Sequence, residues 1–395
     1  MNALITPQEA DSLLADAVPS LGTEQVPLEA AAGRVLAEPL VADRPLPPFH
    51  RIMMDGIAFP LAAAENSGGS LEVFGFHPAG APTPRPLAPG TCWETGTGAE
   101  LPPDCDTILP VEVLQRDGDR VSFELADCEP GRFIHRTGSD YPAGAELVPA
   151  GTKLGARECA VAASVGASQL ITRKIPKVGI FTTGDEVVPF VEEPLPHQIR
   201  QSNGPALRAA LSALGMNEAV HEHLPDDEDL LRTRLEAALG EFDLILSCGG
   251  ISKGRHDHVR AALTSRLGEP VFHGIAQRPG KPLAFWAGPP PVFALPGNPM
   301  SVLVCFHRYV VPFLAAMSGR EESRPLVSLA EEFRFPPPLS FFLPVALDRQ
   351  LKAQPRPLAN SGDFASAIDS TGFLELPAGQ DHFPAGFEAP YIPWL

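Results

Sequence analysis

The stretch from Phe242 to Val259, with the sequence FDLILSCGGISKGRHDHV, constrains the fold of this chain more than any other segment. Its first residues are a short apolar run typical of a buried strand, and the paired glycines that follow predict a sharp turn into a helix. A strand that leads directly into a helix is the building unit of parallel α/β sheets. The N–H groups exposed at the start of such a helix favour a phosphate or another oxyanion. The segment therefore predicts an α/β fold with a binding site for a phosphorylated ligand.

Strand and helix patterns alternate over residues 174–320, where KVGIFTTG, FDLILS, PLAFW and PVFALPG are typical of strands. Leucines at helical spacing predict two helices, each with two candidate caps: Ser202 or Asn203, and Asp226 or Asp227. Asn298 and Pro299 begin a longer apolar helix that Gly319 ends, and we expect it to lie in the core. The pattern predicts a mainly parallel sheet that binds ligands at the carboxyl ends of its strands.

The segments before and after residues 174–320 have different residue patterns. Thr6, Pro7 and Glu9 have the spacing of a capping box and predict an N-terminal helix. Short β-type runs separated by Pro and Gly predict a compact β domain from Pro39 to about Gly151. After the proline-rich run near residues 334–338, further short apolar runs predict a small C-terminal β domain.

The charge of the chain limits its partners. It has 30 Lys and Arg against 48 Asp and Glu, a net charge of −18. This balance argues against non-specific binding to nucleic acid or to an anionic membrane, so an anionic ligand must be met by local cations. The six cysteines contain no CxxC pair, which favours free thiols in a reducing compartment. No secretory signal pattern opens the sequence, and we expect a cytoplasmic protein.

Four loops of the α/β region carry polar or charged residues: TGDE at 183–186, GGISKGRHD at 249–257, RPGKP at 278–282 and PGNPMS at 296–301. Three of them follow the carboxyl end of a predicted strand, so they are expected at one rim of the sheet. Acids, cations and free N–H groups on one rim suit a polyanion together with a divalent metal.

Each loop also has a purely structural interpretation. Paired glycines make tight turns, Asp257 suits a helix N-cap, and the acids at 185 and 186 suit a solvated turn. Asp55, in the stretch MMDGIA, is also compatible with an ordinary turn. No GxxxxGK[ST] loop, GxGxxG fingerprint or GxSxG elbow is present, which argues against a P-loop enzyme, a dinucleotide-binding domain and an α/β-hydrolase.

An ordered set of motifs resembles a known family. The set is MDG, ETGTG followed by DTILPVE, GSDYPAG, TTGDEV, QSN, CGGIS, RPGKP and LPGNPMS. It is similar to the molybdopterin molybdenumtransferases, the MoeA family, whose relatives include the E domains of gephyrin. The resemblance runs from about Pro7 to the C-terminus.

The resemblance implies four domains in an α/β plus β fold. Domain I would comprise residues 1–40 and 150–173, the β-rich domain II residues 41–149, the three-layer α/β molybdopterin-binding domain III residues 174–320, and the C-terminal β-barrel domain IV residues 321–395. It implies a homodimer with a shared active site. The reaction would be insertion of molybdate into adenylylated molybdopterin, with release of AMP and assistance from Mg²⁺.

The resemblance also assigns roles to residues. The catalytic acids would be Asp55, Asp140, Glu186, Asp226 and Asp257, with Glu186 and Asp257 as metal ligands. The substrate-binding residues would be Thr95, Gly249, Gly250, Ser252, Arg278, Lys281, Pro296, Pro299, Ser301 and Ser361. Asp55 and Thr95 would come from the second subunit.

The chain departs from the family pattern at several positions. Gln201 stands where the family usually has Asp, Arg278 replaces a Lys, and Pro344 lies on a strand where relatives tend to place an Arg. These changes leave two alternatives to the transferase: a divergent paralogue that binds molybdopterin or a nucleotide without turnover, and a scaffold protein of the same fold.

Overall fold

The computed structural model describes residues 4–250, 258–358, 360 and 362–395. The chain begins with helix α1 (Pro7–Ala15), and the predicted capping box is confirmed. Thr6 Oγ1 accepts a hydrogen bond from the Glu9 N–H at 3.1 Å, and a Glu9 carboxylate oxygen accepts one from the Thr6 N–H at 2.6 Å. Ala10 and Leu14 are buried in the core of the large α/β sheet, so this helix packs against the middle of the chain.

The part of the chain before the α/β sheet is rich in short strands. They are β1 (Thr23–Pro27), β2 (Leu40–Val41), β3 (Arg51–Ile52), β4 (Gly56–Phe59), β5 (Ser70–His77), β6 (Thr91–Thr95), β7 (Thr107–Pro110), β8 (Gln115–Asp117), β9 (Arg120–Ser122), β10 (Ile134–His135), β11 (Glu146–Val148) and β12 (Gln169–Arg173). Helices α2 (Leu61–Ser67) and α3 (Ala156–Ser164) interrupt them.

A six-stranded sheet in the order β7-β4-β6-β5-β9-β8 forms the centre of this β-rich part. The strand predicted from DTILPVEVL ends at Pro110, because proline has no N–H with which to extend a ladder. β1 pairs antiparallel with β12, so the first and last strands of this β-rich part lie side by side. The domain boundaries given above stay a prediction.

The middle of the chain forms the predicted α/β sheet. Its strands and helices are β13 (Val178–Thr183), β14 (Val187–Val188), β15 (Ile199–Arg200), α4 (Asn203–Ala213), β16 (Val220–Leu224), α5 (Glu228–Glu241), β17 (Leu244–Cys248), α6 (His258–Leu267), β18 (Phe272–His273), β19 (Gln277–Arg278), β20 (Ala284–Trp286), β21 (Val292–Leu295), α7 (Pro299–Cys305) and α8 (Val311–Met317).

The order of the sheet is β16-β13-β17-β21-β20-β18. β16, β13, β17 and β21 are mutually parallel, whereas β20 and β18 add an antiparallel edge. All residues of β13, β17 and β21 are buried, as expected for strands covered on both faces. Their carboxyl ends lie at one edge, which confirms the predicted rim.

One long helix packs on this sheet. α7 and α8 are joined by a π-helical turn at Phe306–Val310, so the helix is continuous over Pro299–Met317. Among the described residues it is the one helix long and apolar enough to cross a membrane, and 78% of its most apolar window is buried inside the protein. Most of its apolar side chains belong to the core of the α/β sheet, whereas Met300 and Val304 pack with Phe342 and Phe373 of the C-terminal sheet, which confirms the predicted core helix.

The C-terminal part is a second β structure. Its strands are β22 (Leu326–Ser328), β23 (Phe333–Arg334), β24 (Ser340–Leu347), β25 (Ala353–Pro355), β26 (Gly372–Leu376), β27 (His382–Phe383) and β28 (Glu388–Pro393). The sheet order is β19-β24-β26-β28-β22, with β25 on β24. β19 comes from the middle of the chain, so the segment that carries Arg278 joins the C-terminal sheet and ties it to the α/β part.

Candidate active site

The carboxyl ends of four parallel strands surround a cavity of about 400 Å³, here called the strand-end cavity. Its walls come from the segments that follow β13, β16, β17 and β21, together with the start of α4. Six of the residues predicted from sequence line it: Glu186, Asp226, Gly249, Gly250, Pro296 and Pro299. Loops that are separate in sequence therefore meet in one place, as the parallel sheet requires.

The paired glycines turn sharply at the end of β17. Gly249 has φ +98° and Gly250 φ +64°, a region that favours glycine. A Cβ atom at Gly249 would lie 2.8 Å from Thr183 Oγ1 and 3.1 Å from the Thr183 carbonyl oxygen. Glycine is thus needed both for the backbone angle and for the close approach of two strand-end loops, which confirms the predicted turn.

Two carboxylates lie on the wall of the strand-end cavity. Asp227 caps α5, since its carboxylate accepts a hydrogen bond from the Leu230 N–H at 2.8 Å. Asp226 is therefore not the cap. Its own N–H donates to the carboxylate of Asp185 at 3.0 Å, which joins the loop after β16 to the loop after β13. The carboxylates of Glu186 and Asp226 remain for a ligand.

This arrangement fits magnesium. Mg²⁺ prefers oxygen ligands and is usually held by one or two carboxylates together with substrate phosphates and water. Glu186 and Asp226 supply two such carboxylates on one cavity wall. Within residues 4–250, 258–358, 360 and 362–395, no three His, Cys, Asp or Glu side chains form a group that would hold a metal by themselves. The predicted metal ligand Asp257 lies outside these ranges, as do Ser252 and Ser361.

A polar cluster around Thr182, beside the strand-end cavity, was not predicted from sequence. Thr182 Oγ1 lies 2.7 Å from Gln201 Nε2, 3.0 Å from His221 Nε2 and 3.1 Å from His223 Nδ1. Burial lowers the pKa of His221, and the nearby His223 and Arg208 lower it further. Thr182 and Gln201 line the strand-end cavity, so Gln201 contributes an uncharged amide to its wall.

A second cavity adjoins the first. It has a volume of about 720 Å³ and shares Pro282, Pro296, Gly297 and Asn298 with the strand-end cavity. Its wall contains Arg278, Lys281 and Ser301, three of the predicted substrate-binding residues, and we call it the cation cavity. The opposite wall comes from the C-terminal sheet: Phe333, Phe335, Phe341 and Pro344. The two cavities together place Glu186, Asp226 and Arg200 at one end and Arg278 and Lys281 at the other.

A buried glutamine anchors the loop that carries the cations. Gln277 is fully buried, and its Nε2 donates to the carbonyl oxygens of Pro279 and Gly280 at 3.2 Å each. Its Oε1 accepts a hydrogen bond from the hydroxyl of Tyr309 on the core helix. Gly280 has φ +90°, and a Cβ atom there would collide with Cys305 Sγ. Arg278 and Lys281 are therefore held on a loop fixed to the core helix.

Gln277→Met is expected to lower the free energy of unfolding by about 1–3 kcal/mol, because it leaves the buried Tyr309 hydroxyl without an acceptor. Chemical denaturation monitored by circular dichroism measures this loss. The double variant Gln277→Met/Tyr309→Phe removes both partners and should recover part of it. Equal losses in the single and double variants would contradict the role of the Tyr309–Gln277 hydrogen bond.

Three predicted residues lie outside both cavities, in the β-rich part. A carboxylate oxygen of Asp55 accepts hydrogen bonds from Thr97 N–H at 2.6 Å and Thr97 Oγ1 at 2.7 Å, and these bonds lower the pKa of Asp55. Thr95 is 1% exposed, with its hydroxyl 3.5 Å from the Gly56 carbonyl oxygen. Asp140 lies 2.7 Å from His135 Nε2. Within one chain these residues line neither cavity, and their delivery by a second subunit stays a prediction.

Three family models match successive parts of the chain. Residues 5–166 match the MoeA N-terminal region (domain I and II), residues 179–316 a probable molybdopterin binding domain, and residues 327–394 the MoeA C-terminal region (domain IV). The matched segments leave only short stretches between them.

Similar proteins cover nearly the whole chain. A molybdopterin molybdenumtransferase of Synechocystis is 34% identical over 95% of this chain and 96% of its own length. Gephyrin of Dictyostelium discoideum is 28% identical over 75% of this chain and 47% of its own length. The crystal structure of the molybdopterin biosynthesis MoeA protein from Pyrococcus horikoshii superposes with a TM-score of 0.85 at 31% identity and covers 99% of both chains. The chain belongs to the MoeA family, the molybdopterin molybdenumtransferases of molybdenum cofactor biosynthesis.

Proposed function

We propose that this chain inserts molybdate into adenylylated molybdopterin, which releases AMP and forms the molybdenum cofactor. The observation that carries the proposal is the junction of two cavities, one lined by Glu186, Asp226 and Arg200 and the other by Arg278 and Lys281. The strand-end cavity offers glycine N–H groups and two carboxylates, and the cation cavity offers Arg278, Lys281 and Ser301. The shared residues Pro296 and Asn298 allow one substrate to reach both.

The cation cavity suits molybdate. Molybdate is a tetrahedral dianion, so it requires fixed positive charge and hydrogen-bond donors. Arg278 presents a planar fork, Lys281 a compact ammonium group, and Ser301 a hydroxyl that is almost fully buried. These groups would hold the oxyanion beside the pterin end of the substrate.

The strand-end cavity suits the phosphates. Gly249 and Gly250 bring the backbone close to a ligand without side-chain obstruction. Magnesium would be held by Glu186 and Asp226, with Asp257 as a further candidate, and when bound it neutralises phosphate charge as AMP leaves. Asp185 fixes the loop that carries Asp226, so it would act as a positioning residue.

The proposed enzyme is a cytoplasmic homodimer. Asp55, Thr95 and Asp140 would approach the cavities from the second subunit. The Thr97 hydrogen bonds lower the pKa of Asp55 and fix one oxygen of its carboxylate, and the other oxygen could then meet a cation or a donor group. Thr97, which holds Asp55, is a further positioning residue at that site.

AMP release tests the proposal. Purified protein incubated with adenylylated molybdopterin and Mg²⁺ should release AMP when molybdate is added, and tungstate in a parallel reaction reports the choice of oxyanion. Asp226→Asn and Glu186→Gln should each lower the rate at least about tenfold if these carboxylates hold the metal. The surface variant Asp381→Asn provides a control of equal charge change. Absence of AMP release from folded, dimeric protein would overturn the proposal.

Pro344 supports a second candidate. It lines the cation cavity on the strand where relatives tend to place an Arg, so the cavity lacks one expected cation. A divergent paralogue that binds molybdopterin without turnover would have this character. It predicts tight binding of molybdopterin with no AMP release, and Pro344→Arg would then restore turnover.

A further inference from the structure

A third cavity lies where β12 meets the C-terminal ends of α4 and α8. Its volume is about 90 Å³, and it shares no lining residue with the strand-end or cation cavity. Its charged lining consists of Arg34, Lys153, Arg173, Lys174, Arg320 and Glu322. Five cations thus face one acid in a chain whose acids outnumber its cations 48 to 30. We call it the basic cavity.

Carboxylates pair with only two of these five cations. Arg34 pairs with Glu24, and Arg320 lies 3.6 Å from Glu322. In the described part of the chain, Lys153, Arg173 and Lys174 have no carboxylate within ion-pair distance. Three cations without a carboxylate partner therefore line the basic cavity, with Arg173 half-buried and Lys153 and Lys174 exposed.

The geometry also leaves a donor without an acceptor. The Arg34 side chain is 14% exposed, and one of its nitrogens donates to the Arg173 carbonyl oxygen at 3.0 Å. Its Nε atom is buried and, as far as residues 4–250, 258–358, 360 and 362–395 go, has no hydrogen-bond partner. A buried donor that lacks an acceptor is unfavourable, but Arg34 Nε has no surface open to water, so an anion in the basic cavity would be bound by the charged groups of its lining.

Helix dipoles do not account for the charge. α4 and α8 end at Ala213 and Met317, and each C-terminus carries about half a negative charge. Together they offset roughly one of the three uncompensated cations. About two positive charges remain, which matches a dianion.

We propose that the basic cavity binds a small tetrahedral oxyanion, independently of the proposed active site. Phosphate, sulfate and molybdate share the required charge and shape. A cavity of about 90 Å³ has room for more than one water molecule and so accommodates one tetrahedral oxyanion. The bound anion would join β12 to the ends of α4 and α8 and so stabilise the junction between the N-terminal and α/β parts.

Equilibrium dialysis with inorganic phosphate, sulfate and molybdate tests this inference on the full-length protein. A Lys281→Gln background weakens the cation cavity, so that the remaining binding reports the basic cavity. Adding Lys153→Gln and Arg173→Gln should weaken that binding at least about tenfold, since it removes two charge-assisted contacts. A matched control adds Arg349→Gln and Lys352→Gln, which remove the same charge from exposed positions outside the cavities and should leave affinity unchanged.

The three anions distinguish the sources of the ligand. Preference for molybdate would mark a second site for the proposed substrate, and equal binding of phosphate would mark a structural anion.

Unchanged affinity in the Lys153→Gln/Arg173→Gln variant would overturn the inference. So would a loss of dimer mass in light scattering without a change in affinity, because the cations would then serve a contact with a second copy. If that variant does not fold, Arg320→Gln replaces it, and unchanged phosphate binding there overturns the inference equally.

Discussion

Lys281→Ala is expected to slow AMP release from adenylylated molybdopterin about 100- to 1000-fold, the usual cost of removing one preorganised donor from a site where charge develops. Lys281 lines the cation cavity beside Arg278, on the loop that Gln277 fixes to the core helix. Because the loop is anchored through its backbone, the substitution removes the ammonium group without releasing the loop. The effect should therefore appear as a lower kcat and a higher KM for molybdate.

Two variants separate charge from structure. Lys281→Arg keeps the positive charge but changes its shape, so its activity should lie between those of the wild type and Lys281→Ala. Lys352→Ala removes the same charge from an exposed residue outside both cavities and should leave kcat within about twofold. All three should unfold at nearly the same denaturant concentration. A kcat for Lys281→Ala equal to that for Lys352→Ala would exclude Lys281 from the proposed site.

Much of the α/β part was predictable because its signals are local. Strands buried on both faces are continuous apolar runs, and Gly249 and Gly250 indicate the turn between strand and helix. Parallel strands have their carboxyl ends at one edge, so Glu186, Gly249 and Pro296 could be placed together without any contact being known, whereas Asp226 was assigned to the site only by the family resemblance. The structure confirms this placement in the strand-end cavity.

The contacts that sequence did not reveal join distant segments. β19 pairs with β24 of the C-terminal sheet, although it precedes the last strand of the α/β sheet. The Gln277–Tyr309 hydrogen bond joins a loop to a helix 32 residues away. Nothing local distinguishes such a glutamine from an exposed one. A polar residue in an otherwise apolar helix does indicate a buried polar contact, however. Arg308 and Tyr309 are two such residues in the core helix Pro299–Met317.

The choice of the N-cap of α5 shows a different limit. Asp226 and Asp227 are adjacent and chemically identical, so sequence left both as caps. In the structure the extended backbone of Asp227 directs its carboxylate to the Leu230 N–H, and Asp226 faces the strand-end cavity. The extended backbone at Asp227 thus makes this acid the cap and leaves Asp226 on the cavity wall.

Arg308→Met should lower the free energy of unfolding by about 3–5 kcal/mol, the cost of removing one partner from a buried ion pair. Arg308 lies on the π-helical turn and is 1% exposed. Its guanidinium donates to Asp11 at 2.6 and 2.8 Å and to Glu375 at 2.6 and 3.1 Å. It therefore joins the N-terminal helix, the core helix and the C-terminal sheet, and its loss leaves the carboxylate of Glu375 buried without a counter-ion.

Two further variants test whether the lower stability of Arg308→Met comes from the unpaired buried charge. Arg324→Met removes a more exposed partner, 3.3 Å from Asp11, and should cost less than about 1 kcal/mol. The triple variant Asp11→Leu/Arg308→Met/Glu375→Leu removes all three charges and should recover most of the loss, because apolar groups of similar volume can replace a buried ion network. Urea denaturation of the four proteins measures these differences, and a triple variant as unstable as Arg308→Met would attribute the loss to packing.

The pH dependence of stability gives an independent check on the same network. Burial alone would raise the pKa of Asp11, but the hydrogen bonds and charge of Arg308 outweigh it and hold the pKa below its ordinary value. A carboxyl with a lower pKa in the folded state stabilises the fold above its unfolded pKa, and that contribution is lost as the pH falls through the folded value. Acidification should therefore destabilise the wild type more steeply than Arg308→Met, since the variant has already lost the partner that keeps Asp11 ionised. Parallel slopes of unfolding free energy against pH in the two proteins would show that Asp11 and Arg308 are not coupled.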